Sequence, residues 1–414
     1  MTFREAEQYL LSLELFGMRF GLDRMHRLMT VLGLPQRRFA SIHVVGTNGK
    51  SSTVRFCAAI LERHGLRTGS YTSPHLISFR ERIEVGEQPV PEGDFAAAVE
   101  RAAQAAELVN RTEQPDDQVT QFEALTAAAY HELARRGVEV AVIEAGLGGR
   151  FDATNVIPSK VQALTSVGLE HTRGLGPSVA DIAEEKLAVV RDHGTLVVGP
   201  LEPAAEAVAE RVARERGAQL VRAADDPGVP LRASGGFQRQ NFALAAAAAE
   251  AFLGQGALRA DSVAAAAAET TIPGRVEVVA ERPLTVYDGA HNPAGARALA
   301  ESLDDVFGDR RPRVAVIGVL EDKDAAAMLT ELLPKVDHAV YTRSQNPRSL
   351  SPGTLGSLAE KLGGPPSEAV ADPRAAVARA RELAGPAGAV LATGSIYLIA
   401  DLARADPSMR ASML

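Results

Sequence analysis

The sequence predicts an α/β fold made of parallel sheets covered by helices. Short β-branched runs such as IHVVG (42–46) and VEVAVIE (138–144) alternate with alanine-rich helical stretches, with glycine turns between them. The alternation restarts after Arg282, and 414 residues exceed what one ordinary core organises. Two units of unequal size are therefore expected, 1–282 and 283–414.

Along the chain, residues 42–46 form a strand and 50–64 the helix after it. A helix over 122–136 leads into the strand 138–144. Strands at 161–167, 195–198 and 219–221 follow, with helices near 178–191 and 202–216. Their continuous apolar character is that of strands buried on both faces. The strand-like VEVVAERP ends in Pro283 and places the boundary at 280–283. Beyond it, strands at 284–287, 313–317, 339–342 and 389–392 alternate with helices at 293–306, 323–333, 352–362 and 373–383. The alanine runs at 243–249 and 264–268 are strong helix formers rather than linkers.

Composition removes several classes of function. With 46% hydrophobic and 23% charged residues, the chain has globular rather than disordered character. The net charge of −8 argues against a broad nucleic-acid or anionic-membrane footprint, although a local basic pocket can still hold phosphates. One cysteine, Cys57, excludes an intrachain disulfide framework and a thiolate zinc cluster. The charged N-terminal segment lacks the plan of a signal peptide, and no apolar run reads as a membrane span. A cytoplasmic protein is expected, without nucleic-acid or membrane partners.

The clearest local signal is HVVGTNGKSST, from His43 to Thr53. A strand ends at Gly46, a glycine loop follows, and a helix begins near Lys50. This arrangement turns backbone N–H groups and a helix N-terminus toward an anion, and Lys50 adds a positive charge. A hydroxyl just after the lysine, from Ser51 or Ser52, suits Mg²⁺. The generic P-loop pattern requires glycine at position 44, where Val44 stands, so the loop is of a variant P-loop type.

Glu144 closes an apolar strand, where open α/β sheets place ligand groups, and AGLGGRFDATN follows it. A carboxylate opposite a phosphate loop is what a hard divalent cation needs. His171 follows a strand in the same way, within SVGLEHTRGLG. By spacing alone, Lys186 reads as a solvated lysine paired with glutamates along a helix.

GTNGK, YTSPHLISFRERIEVGEQPV, EAGLGGRFDATN and LEHTRGLGPSVADIAEEK together resemble the folylpolyglutamate synthase and dihydrofolate synthase family of the Mur ligase superfamily. The segment YLLSLELFGMRFGLDRMHRLMTVLGLP and, in the second unit, PGRVE, DGAHNPAG, LEDKD and GSIYLIADL agree in order. The resemblance implies a P-loop-type parallel sheet in an N-terminal ATP- and folate-binding domain, plus a smaller Rossmann-like α/β C-terminal glutamate-ligase domain. Thr47, Asn48, Gly49, Lys50, Ser51 and Ser52 would hold the ATP phosphates. Asn241, Arg275 and Asp288 would contact ATP from the domain junction. Ser52, Ser73 and Glu144 would serve a first Mg²⁺, and Glu144 with His171 a second. Lys186 would be a carbamylated lysine at that second site, which makes Lys50, Lys186 and His171 the catalytic set. Gly21, Leu22, Thr120, Phe122 and Asp152 would hold the pterin-containing substrate, and His291 would lie near the glutamate.

One departure is Ser51, where the family's loop usually carries glycine. Serine there strains the loop if the residue needs positive φ and costs little if it is helical.

The implied reaction is ATP-dependent ligation of L-glutamate to dihydropteroate, to tetrahydrofolate polyglutamate, or to both. It would run through an acyl phosphate, in a protein that is typically monomeric. The alternatives are another Mur-type amino-acid ligase, or an ATP-binding module without ligase chemistry. Glutamate-dependent turnover separates them.

Overall fold

The computed structural model describes residues 1–13, 21–112, 114 and 117–404. Its first sheet comprises β1 (Ala40–Val45), β2 (Thr68–Tyr71), β3 (Ile83–Val85), β4 (Gln88–Pro89), β5 (Val140–Glu144), β6 (Val161–Leu164), β7 (Thr195–Val198) and β8 (Gln219–Arg222). The spatial order is β4-β3-β2-β5-β1-β6-β7-β8, parallel except for the β2–β3–β4 edge. A second sheet comprises β9 (Glu277–Glu281), β10 (Leu284–Tyr287), β11 (Arg313–Ile317), β12 (His338–Tyr341), β13 (Ser367–Ala369) and β14 (Ala389–Thr393), in the order β13-β12-β11-β14-β10-β9. This is the expected α/β architecture. Strands β2, β3, β4 and β13 and the nineteen-residue helix Glu92–Asn110 are elements the sequence reading did not place.

β1 and β5 have no polar residue facing solvent at their centres. Ile42, Val44, Val45, Val140, Val142 and Ile143 are fully buried, because helices cover both faces. On one face, the helix Lys50–Arg63 lies against Gly236–Leu253, with Phe56 and Phe242 meeting edge to face at 5.1 Å between centroids. Truncating either ring to alanine removes about 3–5 kcal/mol.

Strand order positions the site. β1 lies between β5 and β6, paired to both in parallel register. The loops that leave their carboxyl ends therefore emerge side by side. These are the phosphate loop, the AGLGGR loop and the segment leading to His171, the first of which lies about a hundred residues before the other two in sequence. In the second sheet, β14 lies between β10 and β11, which groups DGAHNP, GSIY and LEDK in the same way.

β9 pairs antiparallel with β10 and is an edge strand of the second sheet, with a bulge that leaves Val279 without a partner across the ladder. The expected division at 282/283 thus falls inside a hairpin of the second sheet. Leu76, from the loop after β2, crosses between the units and packs with Val314, Val316 and Ile399. Arg404 donates to the Leu76 carbonyl at 3.1 Å.

No helix among the described residues is long and apolar enough to cross a membrane.

Candidate active site

The phosphate loop is held open by its own residues. Gly49 caps the helix Lys50–Arg63 with φ +85°, and a Cβ there would collide with Asn241 Oδ1, so both backbone and space demand glycine. Having no side chain, Gly49 makes no capping hydrogen bond to the first turn, whose amides are left for a ligand. Lys50 folds back, donating to the carbonyls of Gly46 and Thr47 at 3.1 Å each. Thr47 N–H and Asn48 N–H are bonded to Ser166 at 2.8 and 3.1 Å.

Ser51 lies inside the helix, so it carries no strain. Its hydroxyl donates to Glu144 Oε1 at 3.0 Å, a bond that glycine could not make. Glu144 Oε2 accepts from Ser73 N–H at 3.1 Å. Burial pushes the Glu144 carboxyl up, opposed by Lys50, Ser51, Ser73 and Arg275. Ser52 is buried one residue further along.

Lys186 is not a solvated lysine. It is 4% exposed, on the helix Val179–Leu187, and donates to the Gly46 carbonyl at 2.8 Å, the same oxygen that receives Lys50. Burial, reinforced by Lys50, lowers its pKa to about 7. The AGLGGR loop reaches this helix because Gly149 lies against it: a Cβ would fall 2.5 Å from the Lys186 carbonyl and 2.9 Å from that of Glu185.

His171 is set in a left-handed conformation (φ 52°) and is part-exposed, with Nε2 3.6 Å from Glu170. Among the described residues, no three His, Cys, Asp or Glu side chains converge as a metal cage. Glu144 and His171 follow β5 and β6, which lie on either side of β1.

Glu170, which the sequence reading passed over, gathers the domain junction. Its Oε1 accepts from Lys323 at 2.9 Å and lies 3.5 Å from His291 Nε2, and Oε2 accepts from Asn292 at 3.3 Å. Burial pushes this carboxyl up, but His291, Lys323 and His171 outweigh it and hold it below the usual carboxylate range. The motifs LEHT, AHNP and LEDK contained all four residues; only their convergence was hidden.

Asp152 caps the turn Ala153–Val156. It accepts from the amides of Leu147 at 2.8 Å and Thr154 at 3.0 Å, and from the Thr154 hydroxyl. Thr154 in turn meets His43 Nε2 at 2.8 Å, and burial keeps that imidazole neutral by lowering its pKa to about 3. Phe122 packs over Gly146 beside Asp152, where a Cβ would lie 2.6 Å from the ring. Thr120 caps the helix Gln121–Arg135 in a capping box with Glu123, and Arg24 pairs with Glu123 at 3.1 Å. That ion pair ties the helix Asp23–Val31, with Gly21 and Leu22 at its start, to the Phe122 helix.

At the junction, Asp288 is buried and accepts from Val276 N–H at 2.9 Å and Ala290 N–H at 2.8 Å. Arg275 folds against Gly289, and Asn241 donates to Gln238 at 3.0 Å.

Comparison with known proteins accords with this geometry. The family model for the glutamate ligase domain of Mur ligases matches residues 274–396, which begins just before β9. The dihydrofolate synthase/folylpolyglutamate synthase of Mycobacterium tuberculosis is 37% identical over 83% of this chain and 78% of its own. That of Bacillus subtilis is 33% identical over 97% and 98%. The structure of Mycobacterium tuberculosis folylpolyglutamate synthase complexed with ADP matches with a TM-score of 0.91 at 32% identity, over 97% of both chains. With two α/β sheets meeting at a phosphate loop and near-full-length relatives at this identity, the chain belongs to the folylpolyglutamate synthase/dihydrofolate synthase family of Mur ligases.

Proposed function

We propose that the protein joins L-glutamate to dihydropteroate, to tetrahydrofolate polyglutamate, or to both, at the expense of ATP. The observation that carries this reading is the uncapped helix N-terminus at Gly49, with Lys50 and Glu144 beside it, facing a domain that matches the glutamate ligase model. The larger unit binds nucleotide and pterin, and the smaller one, beginning before β9, takes the amino acid.

A carboxylate and an amine do not condense in water without activation. Transfer of the ATP γ-phosphoryl group to the acceptor's carboxylate gives an acyl phosphate; the glutamate amine attacks the carbonyl carbon and phosphate leaves. The first-turn amides of the helix and Lys50 would hold the phosphates, with Lys50 turning from the Gly46 and Thr47 carbonyls toward the charge. Asn241, Arg275 and Asp288 would line the nucleotide side of the junction. Phe122 would offer the pterin a stacking face, with Asp152, Thr120, Gly21 and Leu22 around it. His291 and Lys323 would face the amino acid.

The residues present suit Mg²⁺. Glu144 and the hydroxyls of Ser51, Ser52 and Ser73 form a hard oxygen set, and a cation that keeps water and phosphate ligands needs few protein groups. When bound, Mg²⁺ supplies charge neutralisation on the transferring phosphoryl group. A second ion would draw on His171 and Lys186. Lys186 is suited to carbamylation because a pKa of about 7 leaves a neutral amine to attack CO2, forming an N–C bond and releasing a proton.

The test is glutamate-dependent ADP release with dihydropteroate and, separately, with tetrahydrofolate diglutamate. Release that glutamate does not stimulate with any pteridine acceptor would overturn the reading and favour a bare ATP-binding module.

A further inference from the structure

Asn48 stands in the phosphate loop, yet each of its polar atoms is engaged by other residues of the protein. Its N–H is taken by Ser166 Oγ at 3.1 Å, and its carbonyl accepts from the same hydroxyl at 3.3 Å. Its side-chain amide is committed across the domain junction in a reciprocal pair. Asn48 Nδ2 donates to Asn292 Oδ1 at 3.1 Å, and Asn292 Nδ2 donates to Asn48 Oδ1 at 2.9 Å.

Asn292 is 4% exposed and fully used. Its oxygen also accepts from Gly295 N–H at 2.8 Å as the cap of the helix Pro293–Phe307, and its second donor goes to Glu170. A reciprocal amide pair at a part-buried junction is costly to break, because the Asn48 amide would lose its partner and Asn292 would lose one bond at each end of its amide. Any movement of the phosphate loop is therefore carried into Asn292 and, through the chain, into its neighbour His291.

We propose that the Asn48–Asn292 amide pair is a catch through which nucleotide on the phosphate loop sets the position of the second domain, making Asn48 a positioning residue for glutamate rather than a phosphate ligand. The assignment rests on the ligase reading for its substrate but not for its geometry.

Two variants of the full-length protein test it. Asn292→Ser keeps an oxygen to cap its helix but is too short to reach Asn48, and Asn48→Ala removes the other half. Each is expected to raise the KM for glutamate roughly tenfold while changing the ADP dissociation constant less than about twofold. Because both break one pair, the double variant should be no worse than either alone. Hydrogen exchange supplies a readout that needs no turnover. MgADP should slow exchange in the helix Pro293–Phe307 of the wild type and not in either variant.

Multiplying effects in the double variant would overturn the proposal. So would weakened ADP binding with an unchanged glutamate KM, or an MgADP response that survives both substitutions. If the wild type shows no glutamate-dependent turnover, the ligase reading falls, and the exchange experiment still decides the catch.

Discussion

Lys186 and Ser51 show how a residue's meaning depends on what it meets. A lysine at helix spacing from two glutamates is ordinarily solvated, and nothing in DIAEEKLAVV separates this one. The distinction comes from Gly46, whose carbonyl lies 140 positions earlier in sequence. Lys186 has a folded pKa of about 7 against an ordinary 10.5, so the unfolded chain binds more protons between those values. Its contribution to stability is thus least favourable below pH 7, and rises with pH until about 10.5. In CO2-free buffer, Lys186→Met should melt at higher temperature than wild type below pH 7, with the two curves converging toward pH 10.5. Under a constant pressure of ¹³CO2, a carbamate resonance should grow as pH rises through about 7 and be absent from the same variant. A signal independent of pH would mean that the amine is not the buried one described. Ser51 was legible only as a fork between strain and tolerance. Its place inside a helix decides for tolerance.

Strands and helices were legible wherever apolar periodicity was strong, and least so where elements are short. β2, β3 and β4 contain Gly, Glu and Pro within two to four residues each, too little pattern to read. The glycines of AGLGGR were legible as glycines but not as a docking surface, because their neighbour is a helix about forty residues on. Gly149→Ala should push that helix outward by inserting a methyl 2.5 Å from the Lys186 carbonyl, with an overpacking cost of about 1–3 kcal/mol. Thermal melting and kcat should fall together; unchanged values for both would show that the close approach is dispensable. Thr120→Ala is a milder test. Loss of the cap on Gln121–Arg135 should cost about 1 kcal/mol and raise the KM for the pteridine acceptor more than that for ATP.

For the whole molecule, the sequence supplied two units and the motifs on each, but not how they lock. Glu170 and Lys323 are 153 positions apart on loops of different sheets, and no periodicity encodes such a meeting. Their side chains are 11% and 12% exposed, so removing one partner strands a charge in a site that water barely reaches. Lys323→Met should destabilise the protein by about 3 kcal/mol, and adding Glu170→Gln should recover part of that loss. Additive losses in calorimetric melts would show that the two do not act as a pair. Leu76→Ala tests the apolar half of the lock. It should lower the melting temperature and weaken the response to glutamate while sparing nucleotide binding, since Leu76 packs only with second-domain residues in that cluster.

The hairpin β9–β10 bears on how the protein behaves in a crowded solution. β9 is an open sheet edge with Val278 and Val279 exposed, the combination that invites a strand from another copy to add on. Its bulge interrupts the ladder at Val279, and Glu277 and Glu281 place charge at both ends. Removing one residue to straighten that edge should leave the fold of the chain intact and produce concentration-dependent aggregation, with solubility lost at β9 before the core begins to unfold.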